Sequence, residues 1–396
     1  MECRVLHRLY ATKPLRPISA KLGAEIQSVW VISDGILGNE MRSFALAGAI
    51  RNDFCVKPIA WLPILFQKFI VDLSFTKYGK KFLNPTTPWY LSQLEKDKSI
   101  TSLPFPDLII SCGEKTVLPS LHLRKLAKKT DFVHIGHPGI PFVSFNSVVL
   151  QRHEIFKLAH LGPALSQQKG VVITQLALSK LTPEILKDYQ TKAHKILGDT
   201  FTSKDPHSPI IGILIGNLSP EFSFLSQHAK KLAEELELLV TKFKARVLIN
   251  YSPRAPAFFK DQIDPVAKRL QEQGFPIKNI PENNQEAYLS ALATSSYLVV
   301  PLGSVNLLSE AILTRKPVYI VGQEQSKGSL NILGQRAITN GWTRRFRVSP
   351  RYRPPGDPLS YIGEHPDFTP ISTYPSMLHK AKAELIDLLN EQKEDK

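Results

Sequence analysis

The stretch Tyr297 to Val321, YLVVPLGSVNLLSEAILTRKPVYIV, constrains this chain most, because it reads as a complete strand–loop–helix–turn–strand unit. Tyr297 to Val300 is a short β-rich apolar run, and Pro301-Leu302-Gly303-Ser304 breaks it. From Val305 to Thr314, apolar Val305, Leu308, Ala311 and Ile312 recur at helical spacing, with Ser304 placed as N-cap. Lys316-Pro317 stops the helix, and Val318 to Val321 resumes as a buried-type strand. A helix that starts in a small-residue loop after a parallel strand presents free N–H groups and a positive dipole end, a geometry that holds phosphate. Glu310 follows about two turns into that helix, within reach of a ribose hydroxyl. Every βαβ unit shares this outline, so ordinary sheet packing explains the pattern as readily as a ligand seat does.

The same grammar opens the fold. Ser28 to Ser33 (SVWVIS) is a strand that runs into Asp34-Gly35-Ile36-Leu37-Gly38-Asn39-Glu40. A helix follows, with Met41, Phe44, Ala45, Ala47 and Ile50 on its apolar face. The loop lacks the GxGxxG spacing, so it is not a dinucleotide fingerprint. Asp34 and Asn39 sit at the carboxyl edge of the strand, where α/β sheets bind ligands, although both residue types also serve as plain turn and helix caps. Pro106 to Ser111 is a buried strand, Cys112-Gly113-Glu114-Lys115-Thr116 its exit loop, and a helix runs on to about Lys129.

The expected organisation is α/β, with two Rossmann-like domains and an interdomain cleft. The length of 396 residues suits two domains of about 150–200 residues. Residues 24–160 form the first domain, with further strands at Phe54 to Ala60, Asp131 to Ile135 and Val148 to Leu150. Residues 161–208 read as the interdomain connection, carrying a short strand at Val171 to Thr174 and a helix from Pro183 to Leu197. Residues 209–345 form the second domain: a strand from Pro209 to Ile215, helices at Gln227–Phe243, Asp264–Gln273 and Asn283–Ala293, and a strand at Arg246–Asn250. Arg254, just past that strand, is a candidate anion ligand or an ordinary surface arginine. Residues 346–396 are a basic segment followed by a packing helix from about Pro375 to Gln392.

Charge narrows the partners. The formal net charge is +15, and Arg344, Arg345, Arg347, Arg351 and Arg353 fall together with no acid among them. An anionic ligand or an anionic membrane surface suits that balance, whereas no nucleic-acid-binding motif is present, so nucleic acid is not expected. Cys3, Cys55 and Cys112 have no CxxC spacing, and the histidines His134, His137 and His153 lack metal-site spacing, so no metal is assigned. No window of about 20 residues is free of charge, and the best candidate, Ala60 to Phe75, is interrupted by Gln67, Lys68 and Asp72, so it is not expected to span a bilayer; it opens the aromatic-rich stretch from Trp61 to Tyr90. It reads as a packed excursion or a docking surface. Residues 1–23 hold Arg4, Arg8, Lys13, Arg16 and Lys21 against one acid, Glu2, the composition of a mitochondrial transit peptide.

In order, SVWVISDGILGNEMRSFALAGAI, PDLIISCGEKTVLPS, VHIGHPGIPFVSFNSVVLQRHE, GVVIT and NNQEAYLSALATSSYLVVPLGSVNLLSEAILTRKPVYIVG resemble the blocks of the mitochondrial-fission "elongated mitochondria" family, known from plants and bacteria. The resemblance runs from about Ser28 to about Gly322. It implies a fold similar to the two-domain GT-B glycosyltransferases, and a role in recruiting a dynamin-related GTPase to the outer mitochondrial membrane. By analogy with such transferases, Ser304, Val305 and Glu310 would lie against the phosphates and ribose of a nucleotide-sugar. Asp34, Gly38 and Asn39 would face the acceptor side. Where the family commonly carries an Ala-Asp-Ser-Val-Ser-type turn, this chain has Leu302-Gly303-Ser304-Val305-Asn306, with glycine in place of the aspartate. Two functions follow: a mitochondrial fission-family protein that acts through binding, or a glycosyltransferase-like enzyme. The location follows too: the matrix if residues 1–23 are a transit peptide, the cytosolic face of the outer membrane otherwise.

Overall fold

Parallel strands joined by helices must form layered sheets covered by those helices, and the computed structural model shows two of them. It describes residues 26–59, 104–155, 170–203, 205, 207–346 and 381–385. The chain divides into a first unit, Met1–Lys180 with Ser376–Lys396, and a second, Leu181–Pro375. The Trp61–Tyr90 segment, residues 1–23, and Arg347, Arg351 and Arg353 lie outside the described residues.

In the first unit, β1 (Val29–Ser33), β2 (Cys55–Pro58), β3 (Leu108–Cys112), β4 (Asp131–Ile135), β5 (Ser147–Gln151) and β6 (Val171–Thr174) form one parallel sheet. Its spatial order is β2-β1-β3-β4-β5-β6. The central strands are buried along their whole length because both faces are covered, which is why they read as unbroken apolar runs. Helix α1 (Leu37–Ile50) lies against one face through Ala45, Leu46 and Ala47, beside Val31, Ile110 and Ile135. Helix α2 (Val117–Leu126) closes the other through Val117, Leu118 and Leu123, with Phe132, Phe142 and Phe145. It stops short of Lys129, since Lys128-Lys129-Thr130 form the turn into β4.

Residues 161–208 do not act as a connector throughout. Val171–Thr174 is β6, paired in parallel with β5 at the edge of the first sheet. Helix α3 (Pro183–Leu197) belongs to the second unit, where Ala193 and Leu197 join a core cluster with Ala287 and Ala291. Thr182 caps α3 by accepting from Ile185 N, and Pro183 follows at the helix start, where its missing N–H costs nothing. The described part of the final helix, residues 381–385, returns to the first unit, where Ala381 and Leu385 are buried with Val29 and Leu178. An apolar stripe says that a helix packs; the stripe does not say on which sheet.

The second unit holds β7 (Ile210–Ile215), β8 (Arg246–Tyr251), β9 (Ile277–Ile280), β10 (Tyr297–Pro301), β11 (Val318–Val321) and β12 (Arg344–Arg345). The order is β12-β11-β10-β7-β8-β9, all parallel. Counted from β7 this is the 3-2-1-4-5-6 order of a Rossmann sheet, with its topological switch between β7 and β10. The helices are α4 (Ser226–Phe243), α5 (Ala257–Glu272), α6 (Gln285–Thr294), α7 (Val305–Leu313) and α8 (Gly328–Thr339).

The strand–loop–helix–strand reading of Tyr297 to Val321 is what forms: β10, α7 and β11 in succession. Helix α5 begins about two turns before the expected Asp264 start, running through Pro265. A proline marks a helix start by local preference, but Phe259, Ile263, Ala267 and Leu270 bury one continuous stripe that spans it. Arg246, at the start of β8, is buried at 5% exposure and, among the described residues, makes no salt bridge, although the Asp205 charge reaches it. Its guanidinium donates instead to the carbonyls of Thr200, Ser203 and Ser208, tying the turn before β7 to the sheet. Lys316 likewise donates to the last carbonyls of α6, those of Leu292 and Ala293, at 2.6 Å each, and burial pushes its ammonium down to about 7.

Candidate functional site

Open parallel sheets bind ligands outside their carboxyl edges at the strand-order switch, and each unit has such a place.

In the second unit the switch lies between the loops after β7 and β10. Ser304 is the N-cap of α7 as expected, its Oγ accepting from Leu307 N at 3.5 Å. Val305 is the first helical residue, and its carbonyl accepts from Ser309 Oγ at 2.7 Å. Backbones approach so closely here that side chains are excluded. A Cβ on Gly216 would stand 2.6 Å from Ser304 Cβ, and one on Gly303 would stand 2.6 Å from Leu218 Cδ2 and 2.9 Å from Phe222 Cδ1. This chain therefore has no room for the aspartate that the family commonly carries at 303. The loop 217–224 covers this edge. Ser219 N donates to Gly303 O at 3.0 Å, and Phe222 stacks on Phe224, which stacks on Phe259. Glu221 anchors the loop's far side, its Oε2 accepting from Ser329 Oγ and Leu330 N at the start of α8.

Glu310 lies on the buried face of α7, 6% exposed, and Tyr288 from α6 donates to its Oε2 at 2.6 Å. Burial first, then the Glu310 charge and hydrogen bond, raise Tyr288 well above its ordinary value, so the phenol stays protonated as donor. The carboxylate expected to meet a ribose is engaged inside the protein. Arg254 stands exposed in the turn after β8, without a hydrogen bond to any described residue.

In the first unit the switch lies between the loops after β1 and β3, as in flavodoxin-like sheets. Here the expected residues do come together. Asp34 Oδ1 accepts from Ile36 N at 2.9 Å, which turns the chain into α1, and Asp34 Oδ2 accepts from Asn39 Nδ2 at 2.9 Å. The other side of the Asn39 amide faces Cys112, whose Sγ donates to Oδ1 at 3.7 Å. Gly113 is held at φ +86°, and a Cβ there would meet Asn39 Nδ2 at 2.2 Å, so the β3 exit admits only glycine. Gly38 contributes its carbonyl, which accepts from Arg42 Nε at 3.2 Å. Glu40 accepts from Ser33 Oγ.

Burial pushes the Cys112 thiol up to about 11, eased by Arg42 and raised further by Glu154 and Asp34; at neutral pH it is a thiol, not a thiolate nucleophile. His134, on the other face of the sheet, is fully buried, held at Nδ1 by Ser111 Oγ at 2.9 Å and packed at a tilt against the Phe145 ring. Burial, then the charges of His137 and Arg42, lower it to about 3, so it is a neutral core residue. Among the described residues no group of three or more His, Cys, Asp or Glu side chains is placed to hold a metal, and no helix is long and apolar enough to cross a membrane.

Sequence reasoning found Asp34, Gly38 and Asn39 but treated the β3 exit loop as a separate feature. It missed Arg42, Cys112 and Gly113 as their neighbours, and it missed Tyr288. The repeated strand–glycine–helix pattern was the available signal, because two such loops on adjacent parallel strands must meet at one edge.

Two parallel six-stranded sheets covered by helices make a GT-B-like fold. The UDP-N-acetylglucosamine 2-epimerase from Rickettsia bellii has this fold, with a TM-score of 0.52 at 13% identity, over 93% of this chain and 96% of that one. The family itself is set by sequence: the model for mitochondrial fission ELM1 matches residues 38–362, and the chain belongs to that family. The mitochondrial fission protein ELM1 of Arabidopsis thaliana is 28% identical over 328 residues, 72% of this chain and 73% of the relative. The uncharacterized protein RP120 of Rickettsia prowazekii (strain Madrid E) is 24% identical over 307 residues, 74% of this chain and 82% of that protein.

Proposed function

We propose that this protein acts in mitochondrial division or morphology, and that it does so by binding rather than by turnover. The observation that carries the reading is the family match across residues 38–362, together with a plant relative named for mitochondrial fission. The chemistry of the second unit supports binding: Ser304 is committed to Leu307, Glu310 is committed to Tyr288, and the crossover loops are pressed together. In this reading the protein resides at mitochondria. A dynamin-related GTPase is its partner if it faces the cytosol, and its net charge of +15 suits an anionic membrane surface. Deleting the gene is expected to lengthen or network the mitochondria, and normal morphology would remove the proposal. Protease treatment of intact organelles separates the locations. Digestion places the protein on the cytosolic face, whereas protection until the inner membrane is opened places it in the matrix and favours the second reading.

That second reading is a transferase-like enzyme taking a nucleotide-sugar at the second unit. It is favoured by the 3-2-1-4-5-6 strand order with Ser304 and Glu310 following the crossover strand, and by a relative in Rickettsia, a bacterium with no mitochondria to divide. Calorimetric titration with a uridine nucleotide tests it. Binding weakened by Glu310→Ala supports the reading, and affinity unchanged by that substitution rules out the role given to Glu310.

A further inference from the structure

We propose that the open edge of β9, with the flank of α5 beside it, docks an extended peptide segment of a partner protein, and that this segment carries a lysine or arginine opposite Asn279. Among the described residues β9 is the outermost strand of the second unit's sheet and pairs only with β8. Val247 N donates to Pro276 O at 2.9 Å, and the main-chain groups of a strand alternate in direction. Pro276, Lys278 and Ile280 therefore face β8, while Ile277 and Asn279 turn their main-chain groups outward. The Ile277 carbonyl is taken by Gln271 Nε2 at 2.7 Å. The Asn279 N–H and C=O have no hydrogen-bond partner among the described residues. One donor and one acceptor on an exposed residue seat one residue of an added strand.

The helix beside that edge decides what the added strand carries. Asn279 directs its side chain toward α5, where its Nδ2 donates to Asp264 Oδ1 at 3.4 Å. Lys278 points to the opposite face and donates to the carbonyls of Ile196 and Leu197 in α3. Residues directly opposite one another on paired strands share a face, so the residue paired with Asn279 also faces α5. A groove of about 620 Å³ lies there, lined by Lys260, Asp261, Asp264, Lys268 and Gln271 of the helix and by Asn279 of the strand. Its volume is within the range of ligand clefts, roughly 300–1,000 Å³.

The groove is acidic on a chain whose net charge is +15. Lys260 is paired with Glu282. Asp264 is fixed by Tyr251, a phenol only 4% exposed that donates to its Oδ1 at 2.8 Å. Burial, then the Asp264 hydrogen bond and charge, raise Tyr251 far above its ordinary value, so it stays a donor. Asp261 and Asp264 have no ion-pair partner among the described residues, and Lys268 is the one lining cation without a carboxylate. Two carboxylates against one ammonium are complemented by a further cation, which the added strand brings. Such a surface serves the binding reading but does not rest on it: gene deletion tests division, and the groove is tested on the purified chain.

The test uses the full-length chain and the peptide acetyl-Thr-Val-Lys-Val-Thr-amide, followed by backbone amide NMR. Titration to millimolar peptide is expected to shift the Ile277 and Asn279 amides and to slow hydrogen exchange at Asn279. Glutamate in place of the peptide's lysine is expected to weaken binding about tenfold, and Asp261→Lys to weaken binding of the lysine peptide about fivefold. Asn279→Pro removes the outward N–H without touching the sheet, so it is expected to keep the wild-type melting temperature and lose the peptide. Asp261 is exposed, so its variant carries the test even where Asn279→Pro lowers stability. Gln271→Ala frees the Ile277 carbonyl and is expected to tighten binding about fivefold, which damage to the fold would not do. Four outcomes would each overturn the proposal: no shift at Asn279 in the wild type, an Asn279 amide already protected before peptide is added, equal binding of the glutamate peptide, or binding that appears only in Gln271→Ala. The last would mean that Gln271 simply blunts a bare edge.

Discussion

The two crossovers solve the same geometric problem differently. In the second unit the loops after β7 and β10 touch backbone to side chain through Gly216 and Gly303, and a phenylalanine-rich loop lies over them. In the first unit the loops after β1 and β3 are held together by an intervening side chain, Asn39, bonded to Asp34 on one side and Cys112 on the other. One crossover is closed by close approach of glycine backbone, the other by hydrogen bonds through a single amide. The difference shows that sheet topology brings the same pair of loops together in both units, while side-chain chemistry decides what holds them.

Removing a glycine gives the sharpest contrast. Gly303→Ala forces a Cβ against Leu218 and Phe222 in the second unit and is expected to cost about 2–3 kcal/mol. Gly35→Ala in the first unit meets nothing within 4 Å and is expected to cost about 1 kcal/mol, from its φ of +71° alone. Chemical denaturation read separately in the two units checks this, and equal losses would erase the contrast.

Acid is the next largest effect, and it falls on the first unit. His134 titrates near 3 in the folded state against about 6.5 unfolded, so between those values the unfolded chain binds the extra proton. Stability is full above pH 6.5 and is lost as pH falls through that window, by about 2 kcal/mol at pH 5. His122, lowered to about 4 by burial and then by Lys125, adds in the same direction. His134→Phe is expected to flatten the acid limb of a stability-versus-pH curve, and an unchanged limb would count against a neutral, buried imidazole.

Tyr288→Phe removes the phenol donor from buried Glu310 and is expected to destabilise the second unit by about 1.5 kcal/mol, measured as a fall in melting temperature. If nucleotide affinity rises in the same variant, Glu310 is held back by Tyr288. Smallest is Asn39→Ala, expected to cost about 1 kcal/mol through its bonds to Asp34 and Cys112. Faster amide hydrogen exchange confined to the β1 and β3 exits would confirm the clamp, and unchanged exchange there would refute it.

The fold was legible where local chemistry and burial agree. Tyr297 to Val321 forms the expected elements because a strand buried on both faces must be apolar throughout, and because serine before an amphipathic run caps a helix. Asp34 and Asn39 were legible as well, since short polar side chains in a strand-to-helix turn have few other uses. What the sequence by itself determined is therefore the parallel α/β class, the two-unit repetition and the loops that end each strand. Only the tertiary structure decided that β6 joins the first sheet, that α3 packs in the second unit while residues 381–385 return to the first, and that α5 runs through Pro265. It alone paired Tyr288 with Glu310 and Asn39 with Cys112, residues 22 and 73 positions apart. The physical reason is that backbone preference acts within a turn or two of the chain, whereas which polar group meets which is settled by long-range sheet order and by the cost of leaving a buried partner unpaired.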